Sequence, residues 1–472
     1  MQGIRVGKSV WTSIVSYSCL FILLILGTSP HVLAQSGASS TPVQLPPLEV
    51  HGTTPLMSTP VPREQIPANV QVTTGESILR RGAVSLTEFM ARDLGGVHLT
   101  HVQNNPFQPD LSYRGFTSSF LIGTPPGLSV FVDGARVNEP IADQVNWDLI
   151  PQDAIDRIEL IPGSNPVYGR NTLGGAVVIR TKRGFTNPGT MAEVWGGSFG
   201  RLRSLAQTGG SVGKVDYFLS GNFFLEYGYR DFSKSDVYQL FGQVGYMDDV
   251  NDLNVSLTHI NNRLTGNGPL PKSRLRRDRS AVFTHPDRFE PDLWFLNSEY
   301  TRELGNGFAL STSAYGRLLD VDQFNRDVEE DVDARTNQRN WGATAQLSYQ
   351  NSLWGMPFTA IVGADYTGSW LDHLIAEREF GEDDDDDEEM EADELVLAQE
   401  DDEGDDALEI ETDVKSKTHA GGPFFTVTAE PIDKLTVTVS GRYDVTHLKI
   451  RDRLANDEDD DGRPPQERDH FH

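Results

Sequence analysis

A basic cluster is the first group of side chains in this sequence that could bind a ligand. Its five members lie within eight positions: Lys272, Arg274, Arg276, Arg277 and Arg279. A concentration of like charge attracts ions of the opposite sign from solution. The cluster could hold an anionic ferric chelate or the phosphates of lipopolysaccharide, and the residues alone do not separate these two ligands.

An acidic run has the opposite character. Residues 382–413 contain 20 acids and no basic residue, and removing them would change the net charge of the chain from -29 to -9. Because such a charge density cannot bury itself, the run is expected to be a disordered surface loop. We expect it to be open to protease and to respond only weakly to Ca²⁺.

The remaining patterns that could bind a metal or a phosphate are weaker. His98 and His101 are interpreted as isolated histidines near a strand end. The aspartates at 457–461 begin like a calcium loop, but Pro464 interrupts it. The glycines at 169–174 lack the following Lys-Ser of a phosphate loop and are expected to serve turns and close packing. No triad or carboxylate pair stands out, so we expect no enzyme, no cofactor and no metal site.

Composition and an export signal restrict the class of protein. An excess of 29 acids argues against a nucleic-acid-binding protein, which needs a basic face. Residues 1–34 are predicted to be a signal peptide, with an apolar core at Leu20–Leu26 and a small-residue cleavage site ending at Ala34. The only cysteine, Cys19, lies inside this segment, so the mature chain has no disulfide and no thiolate ligand.

The elements that would position these groups fall into three parts. Residues 35–66 are a linker rich in Ser, Thr and Pro, and residues 67–185 are predicted to form a compact α+β domain. Within that domain, Thr73 with Glu76 and Ser85 with Glu88 have the spacing of capping boxes at helix starts. An Asp-Gly pair at 133–134 predicts a tight hairpin.

Residues 190–472 change character, because alternating segments recur with no helical period. About eleven strands are predicted between residues 191 and 450. Short connections alternate with longer segments near 262–291, 319–339 and 372–417. A soluble β-sandwich has no reason for such a one-sided arrangement, whereas outer-membrane barrels have short turns on one side and long loops on the other. The pattern therefore favours an antiparallel transmembrane β-barrel.

Several motifs, in this order and spacing, resemble those of the TonB-dependent outer-membrane receptors. They are Tyr113-Arg114-Gly115-Phe116, Val130-Phe131-Val132-Asp133-Gly134, Arg157 to Gly163, Tyr168-Gly169 and Asn171 to Val177. The resemblance covers 67–185 closely and the following strands by pattern. It implies an N-terminal plug domain inside a 22-strand barrel. It also implies energy-coupled uptake of a scarce ligand such as a ferric siderophore or cobalamin.

The resemblance also assigns two sites. Leu48, Glu49, Val50, His51 and Gly52 lie where the family carries its TonB box, an extended segment that pairs with TonB of the inner-membrane complex. An inert linker is the alternative for this segment. Arg114 lies where the family places an arginine against barrel carboxylates, and an exposed strand arginine is the alternative there.

The resulting expectation is a receptor of the outer membrane that takes up a ferric siderophore or other iron chelate. Its expected partners are TonB, the iron chelate and outer-membrane lipid, and it should be a monomer when full length. A non-transporting surface binding protein or adhesin, or an inactive truncated receptor, is the alternative. About eleven strands are half of the family's number, and the segment from 456 to 472 shows no strand pattern. The chain is therefore expected to be truncated.

Overall fold

The computed structural model describes residues 49–50, 54, 56, 61–62, 66, 68–119, 126–140, 142–327, 330–379, 409–432, 435–454 and 468–471. Met1–Pro47 lie outside the described residues, so the signal peptide stays a prediction. None of the helices described is long and apolar enough to cross a lipid bilayer.

The plug, defined here as residues 68–183, contains two small sheets. The five-stranded sheet has the order β3-β9-β10-β7-β8 and consists of Gln71–Thr74 (β3), Leu128–Val132 (β7), Ala135–Arg136 (β8), Ile155–Pro162 (β9) and Gly175–Thr181 (β10). The three-stranded sheet consists of Val97–Thr100 (β4), Asp110–Tyr113 (β5) and Phe116–Ser118 (β6). A short antiparallel pair, Glu49–Val50 (β1) and Val61–Pro62 (β2), precedes the plug.

Two helices of the plug begin at side-chain caps. The helix Leu86–Asp93 begins at Ser85, whose hydroxyl accepts from the N–H of Glu88, as the sequence predicts. The other helix, Gly75–Arg81, is capped by Thr74, whose hydroxyl accepts from the N–H of Ser77. The predicted cap at Thr73 is therefore wrong by one residue, because Thr73 belongs to strand β3 and Thr74 is the last residue that keeps an extended backbone.

The sequence motifs of the plug contact one another. Phe116 lies between two glycines. A Cβ atom added at Gly174 would lie 2.6 Å from Cβ of Phe116, and a Cβ atom added at Gly127 would lie 2.5 Å from the ring of Phe116. The predicted role of the 169–174 glycines in close packing is confirmed for Gly174. Asp133, with a φ of 44°, and the glycine after it form the predicted tight turn between β7 and β8.

A 13-stranded antiparallel sheet, called here the large sheet, follows the plug. Its strands are Gly189–Gly196 (β11), Leu202–Val212 (β12), Val215–Glu226 (β13), Ser235–Met247 (β14), Asn251–Gly266 (β15), Asp287–Gly305 (β16), Phe308–Arg326 (β17), Glu330–Leu353 (β18), Met356–Glu379 (β19), Glu409–Ile432 (β20), Leu435–Arg442 (β21), Val445–Asp452 (β22) and Arg468–Phe471 (β23). Each strand pairs with the next in sequence, except that β21 and β22 both pair with β20. A short helix, Lys272–Arg277, lies between β15 and β16.

Three details of the predicted strand pattern are wrong. The connection predicted at 372–417 is shorter, because β19 extends to Glu379 and β20 begins at Glu409, so residues 409–413 of the acidic run belong to a strand and not to a loop. The segment 319–339 is not a long loop, because β17 and β18 extend through it and leave only residues 327–329 between them. Because many of its residues are charged, the segment lacks the alternation of apolar residues from which strands are predicted. Residues 468–471 form a short strand paired with β22, where the sequence indicated none.

The two faces of the large sheet differ in chemistry. Along β13, every second side chain is buried and those between are exposed or half-buried, as expected for strands whose successive residues point to opposite faces. The inner face contacts the plug, and the outer face carries exposed apolar residues such as Leu219, Val255, Leu296 and Val362. An apolar outer face with a polar inner face is the pattern of a transmembrane barrel.

Candidate functional site: the interface between the plug and the large sheet

Apolar side chains from both parts form one continuous core. Leu293, Phe295 and Leu319 project from the inner face of the large sheet and cluster with plug residues that include Val137 and Trp147. All five side chains are buried. The plug is therefore packed directly against the sheet rather than suspended beside it.

A buried ion pair joins the plug loop after β8 to strand β17. Arg317 donates from both terminal nitrogens to the two carboxylate oxygens of Glu139, at 2.9 and 3.1 Å. The side chains are 3% and 1% exposed, and Arg317 also donates to the carbonyl of Val137 at 3.4 Å. A forked guanidinium matches a carboxylate in this two-bond geometry, which fixes orientation as well as contact.

A second buried group surrounds Asp153, in the plug turn before β9. Its carboxylate accepts from Arg203 of β12, and its carbonyl accepts from Gln207 at 2.7 Å and from Lys182 at 2.8 Å. Burial lowers the pKa of Lys182, and the nearby carboxylates of Asp153 and Asp156 oppose that shift. Side chains of the plug and of the sheet thus bond to one another away from water.

The C-terminal end of the plug is held by two plug arginines. Arg180 donates to Glu299 of β16 at 2.6 Å. Arg183 donates to Asp252 at 2.6 Å and to Asp216 at 3.2 Å. Because Arg180 lies near the end of β10 and Arg183 lies just after it, the chain leaves the plug already bound to three strands of the large sheet.

A small cavity lies between the plug and the sheet. The plug contributes apolar residues beside the helix start and Asp148, and the sheet contributes polar groups; the lining includes Leu86, Phe107, Asp148, Arg203, Asn222 and Gln239. Asp148 accepts from Asn262 of β15 at 3.0 Å. Burial raises the pKa of Asp148 to about 7, while the hydrogen bond from Asn262 opposes the shift.

Plug docking is expected to weaken as pH rises from about 4 to about 7, because buried Asp148 keeps a proton that the unfolded chain releases near its ordinary pKa of 3.8. This contribution to stability is full below about pH 4, falls progressively as pH rises and is lost once pH passes 7. About three pKa units correspond to roughly 4 kcal/mol as an upper bound. Hydrogen exchange at Trp147–Leu149 between pH 5 and pH 8 measures it. Asp148→Asn should remove most of the pH dependence, and an unchanged profile in that variant would contradict the assignment.

The residues predicted for the TonB box are only partly described. Glu49 and Val50 form β1, which pairs antiparallel with β2. Leu48, His51 and Gly52 lie outside the described residues. The segment is thus extended where it is described, and its role stays a prediction.

Arg114 occupies the turn between β5 and β6. Its φ is 53°, its side chain is exposed, and its guanidinium lies 6.0 Å from the ring centre of Tyr113. In the part of the chain that the structure describes, no carboxylate lies within ion-pair distance of Arg114. A contact between Arg114 and a barrel carboxylate stays a prediction.

The other candidate groups are separate from the plug interface. Lys272, Arg274, Arg276 and Arg277 lie on the short helix, which buries none of its residues, and Arg274 lies over the ring of Phe283. Arg279 follows that helix in the same connection. His98 and His101 are both exposed. The aspartates at 457–461 and residues 382–408 of the acidic run lie outside the described residues.

The sequence did not indicate which charges would meet. From the sequence, we expect an arginine of the plug to pair with a carboxylate of the sheet, and Arg180 does so. Glu139 and Asp153 are instead plug carboxylates that pair with arginines of the sheet. The sequence does contain a signal for buried ion pairs. Arg203 and Arg317 occupy inward positions of strands whose side chains alternate between the two faces, and an unpaired charge at such a position would be destabilising. Their partners, Asp153 and Glu139, are 50 and 178 residues away, and no local pattern identifies them.

Comparisons with known proteins agree with this architecture. Residues 62–176 match the family model of the TonB-dependent receptor plug domain. The vitamin B12 transporter BtuB of Vibrio cholerae is 28% identical over 148 residues, which are 31% of this chain and 23% of the relative. The rhizobactin receptor of Rhizobium meliloti is 38% identical over 92 residues, which are 19% of this chain and 12% of the relative.

The fold extends beyond the plug. The crystal structure of the ferric citrate transporter FecA in its unliganded form superposes with a TM-score of 0.69, at 14% identity, over 86% of this chain and 59% of FecA. The chain therefore spans about three fifths of that structure, and the sequence matches cover less than a quarter of the relatives named above. TonB-dependent receptors are outer-membrane transporters and receptors rather than enzymes. The resemblance inferred from the sequence is thereby confirmed: the chain carries the plug domain of the TonB-dependent receptors, joined to the antiparallel sheet of their fold.

Proposed function

We propose that the full-length receptor acts in the outer membrane and imports a scarce ligand when TonB displaces its plug. The observation that carries the proposal is the set of buried plug–sheet ion pairs, above all Glu139 with Arg317. Such pairs hold the plug in one place yet involve no covalent link. A pull on the N-terminal segment could therefore break them and let them form again.

We further propose that the ligand is an iron chelate, with a ferric siderophore favoured. Support comes from similar proteins named as receptors for rhizobactin and ferric aerobactin, and from the fold of a ferric citrate transporter. The exposed basic helix Lys272–Arg277 offers charge suited to an anionic chelate. Growth of a deletion strain on a panel of iron and cobalamin sources tests the ligand class.

The proposed TonB box gives the sharpest test of energy coupling. Val50→Pro removes a backbone N–H and fixes φ, so the segment can no longer pair fully as a strand with TonB. Energy-dependent uptake of the ferric chelate should fall to the background of a strain without TonB. Ligand binding to intact cells should stay at the wild-type level, because the substitution lies outside the plug.

A matched control separates TonB pairing from the internal strand pair. Val61 is the partner of Val50 in β2, so Val61→Pro disturbs the same internal pair without altering residues 48–52. Uptake should survive Val61→Pro. Survival of uptake in the Val50→Pro receptor would show that this segment is not the TonB box. Binding without uptake in every variant and in the wild type would instead favour a non-transporting surface binding protein.

A further inference from the structure

The outer face of the large sheet carries a cluster of cations on strands β18, β20 and β22. Cross-strand pairing places Arg339 opposite Trp370, Trp370 opposite Lys417, and Lys417 opposite Lys449. Two residues before Lys417 in β20, and on the same face, Lys415 lies opposite Arg451. These residues share the exposed face with Val362 and Phe425, whereas the inner face of the same strands meets the plug through Ile361 and Phe424.

Ion pairs neutralise only part of this charge. Asp372 contacts Lys415 at 3.1 Å and Arg453 at 2.9 Å, and Asp413 also pairs with Arg453. Among the described residues, Arg339, Lys417 and Arg451 have no ion-pair partner. The surface formed by Arg339, Lys415, Lys417, Lys449 and Arg451, called here the cationic patch, is therefore positive in a chain whose net charge is -29.

Aromatic rings border the cationic patch on its apolar side. Trp370 is 47% exposed, lies 5.3 Å from the ring of Trp341 and lies under the ammonium of Lys417 at 5.6 Å. Tyr366 is exposed on the same face and bonds to His419. Trp and Tyr are the side chains that favour the level of lipid headgroups, with apolar side chains on one side and polar groups on the other.

The patch lies at the end of the sheet that has the longer connections. The connections after β12, β14, β16, β18 and β20 have two or three residues, whereas those after β13, β15, β17 and β19 have 8, 20, 3 and 29. Lys415 and Lys417 lie in the half of β20 nearer to the 29-residue connection, as the seventh and ninth of its 24 residues, and Arg451 lies one residue before the end of β22. Because outer-membrane barrels place long loops outside the cell, the patch belongs to the outer leaflet.

We propose that the cationic patch binds the phosphorylated headgroup of an outer-leaflet glycolipid. Guanidinium and ammonium groups bind the phosphates, the indole of Trp370 lies at the headgroup boundary, and the acyl chains cover the apolar residues below. This inference rests on the proposed outer-membrane location. Its test uses defined lipids in detergent and does not depend on transport.

Native mass spectrometry of the full chain, purified in detergent, measures lipid binding. The probes are bis-phosphorylated lipid A and the same lipid with both phosphates removed. The test variant is Arg339→Gln/Lys417→Gln/Arg451→Gln, and the control, Arg80→Gln/Lys214→Gln/Arg302→Gln, removes the same charge from exposed positions outside the patch and outside the basic helix. Each cation near a lipid surface contributes about a fivefold change in affinity, so the patch variant should bind lipid A about 100-fold more weakly. The control variant should bind like the wild type.

The other outcomes each overturn the proposal. Equal binding of the dephosphorylated lipid would show that the headgroup charge is not recognised, and an unaffected patch variant would place the site elsewhere. Inorganic phosphate that competes at the concentration of the lipid would indicate a site for free anions. Lipid A binding that emerges only after deletion of residues 382–406 would show that the acidic run occupies the patch. Heat-modifiable migration checks that each variant is folded.

Discussion

Replacing Glu139 with Gln is expected to destabilise the docked plug by about 3–5 kcal/mol, because Arg317 would remain buried with an uncompensated charge. The pair is less exposed than any other described ion pair between plug and sheet, at 3% and 1%. Hydrogen exchange of the plug strands, measured in detergent on the full chain, reports the change. A fraction of undocked plug should also make cells more sensitive to large antibiotics that the closed plug excludes.

Two controls separate the buried pair from charge removal in general. Glu290 pairs with Arg263 at 2.9 Å on the exposed surface, where such pairs contribute about 0–1 kcal/mol, so Glu290→Gln should have little effect. Combining Glu139→Gln with Arg317→Met removes the uncompensated positive charge and should recover much of the lost stability of the docked plug. Equal effects of Glu139→Gln and Glu290→Gln would show that burial of the pair contributes nothing to docking.

Features governed by neighbouring residues could be predicted from the sequence. The Asp133 turn follows from backbone conformations that Asp and Gly tolerate, and the cap at Ser85 follows from a hydroxyl placed three residues before an N–H donor. The alternation along β13 follows from a period of two residues. Each of these features depends on a few consecutive residues, so it can be predicted from the local sequence alone.

Features that depend on distant partners could not be predicted. The contacts of Glu139 and Asp153 join residues brought together only when the sheet surrounds the plug. The extension of β17 and β18 to a turn at 327–329 depends on pairing between charged strands rather than on apolar alternation. The cationic patch arises in the same way, because Lys417 and Lys449 are adjacent only through the register of β20 with β22.

Bridging the plug to the sheet is expected to block uptake while leaving ligand binding intact. Asn105 of the plug donates to the hydroxyl of Ser235 of β14 at 3.0 Å, and both side chains are buried, so Asn105→Cys/Ser235→Cys places two thiols next to each other for oxidation to a disulfide. The mature chain predicted from the sequence contains no other cysteine, since Cys19 lies in the predicted signal peptide. If TonB must displace the plug, the bridged receptor should import less than roughly a tenth of the wild-type amount, because a covalent bond resists a pull that breaks hydrogen bonds and ion pairs. Reduction should restore uptake.

The matched control for that experiment bridges two strands of the sheet instead. Thr190 of β11 and Thr208 of β12 are directly paired, and their hydroxyl oxygens are 2.9 Å apart. Thr190→Cys/Thr208→Cys should form a disulfide under the same oxidation without attaching the plug, and its uptake should match the unbridged receptor. Full uptake by the bridged Asn105–Ser235 receptor would mean that this part of the plug stays in place during transport. Loss of ligand binding on intact cells would mean that the bridge obstructs the ligand rather than the plug.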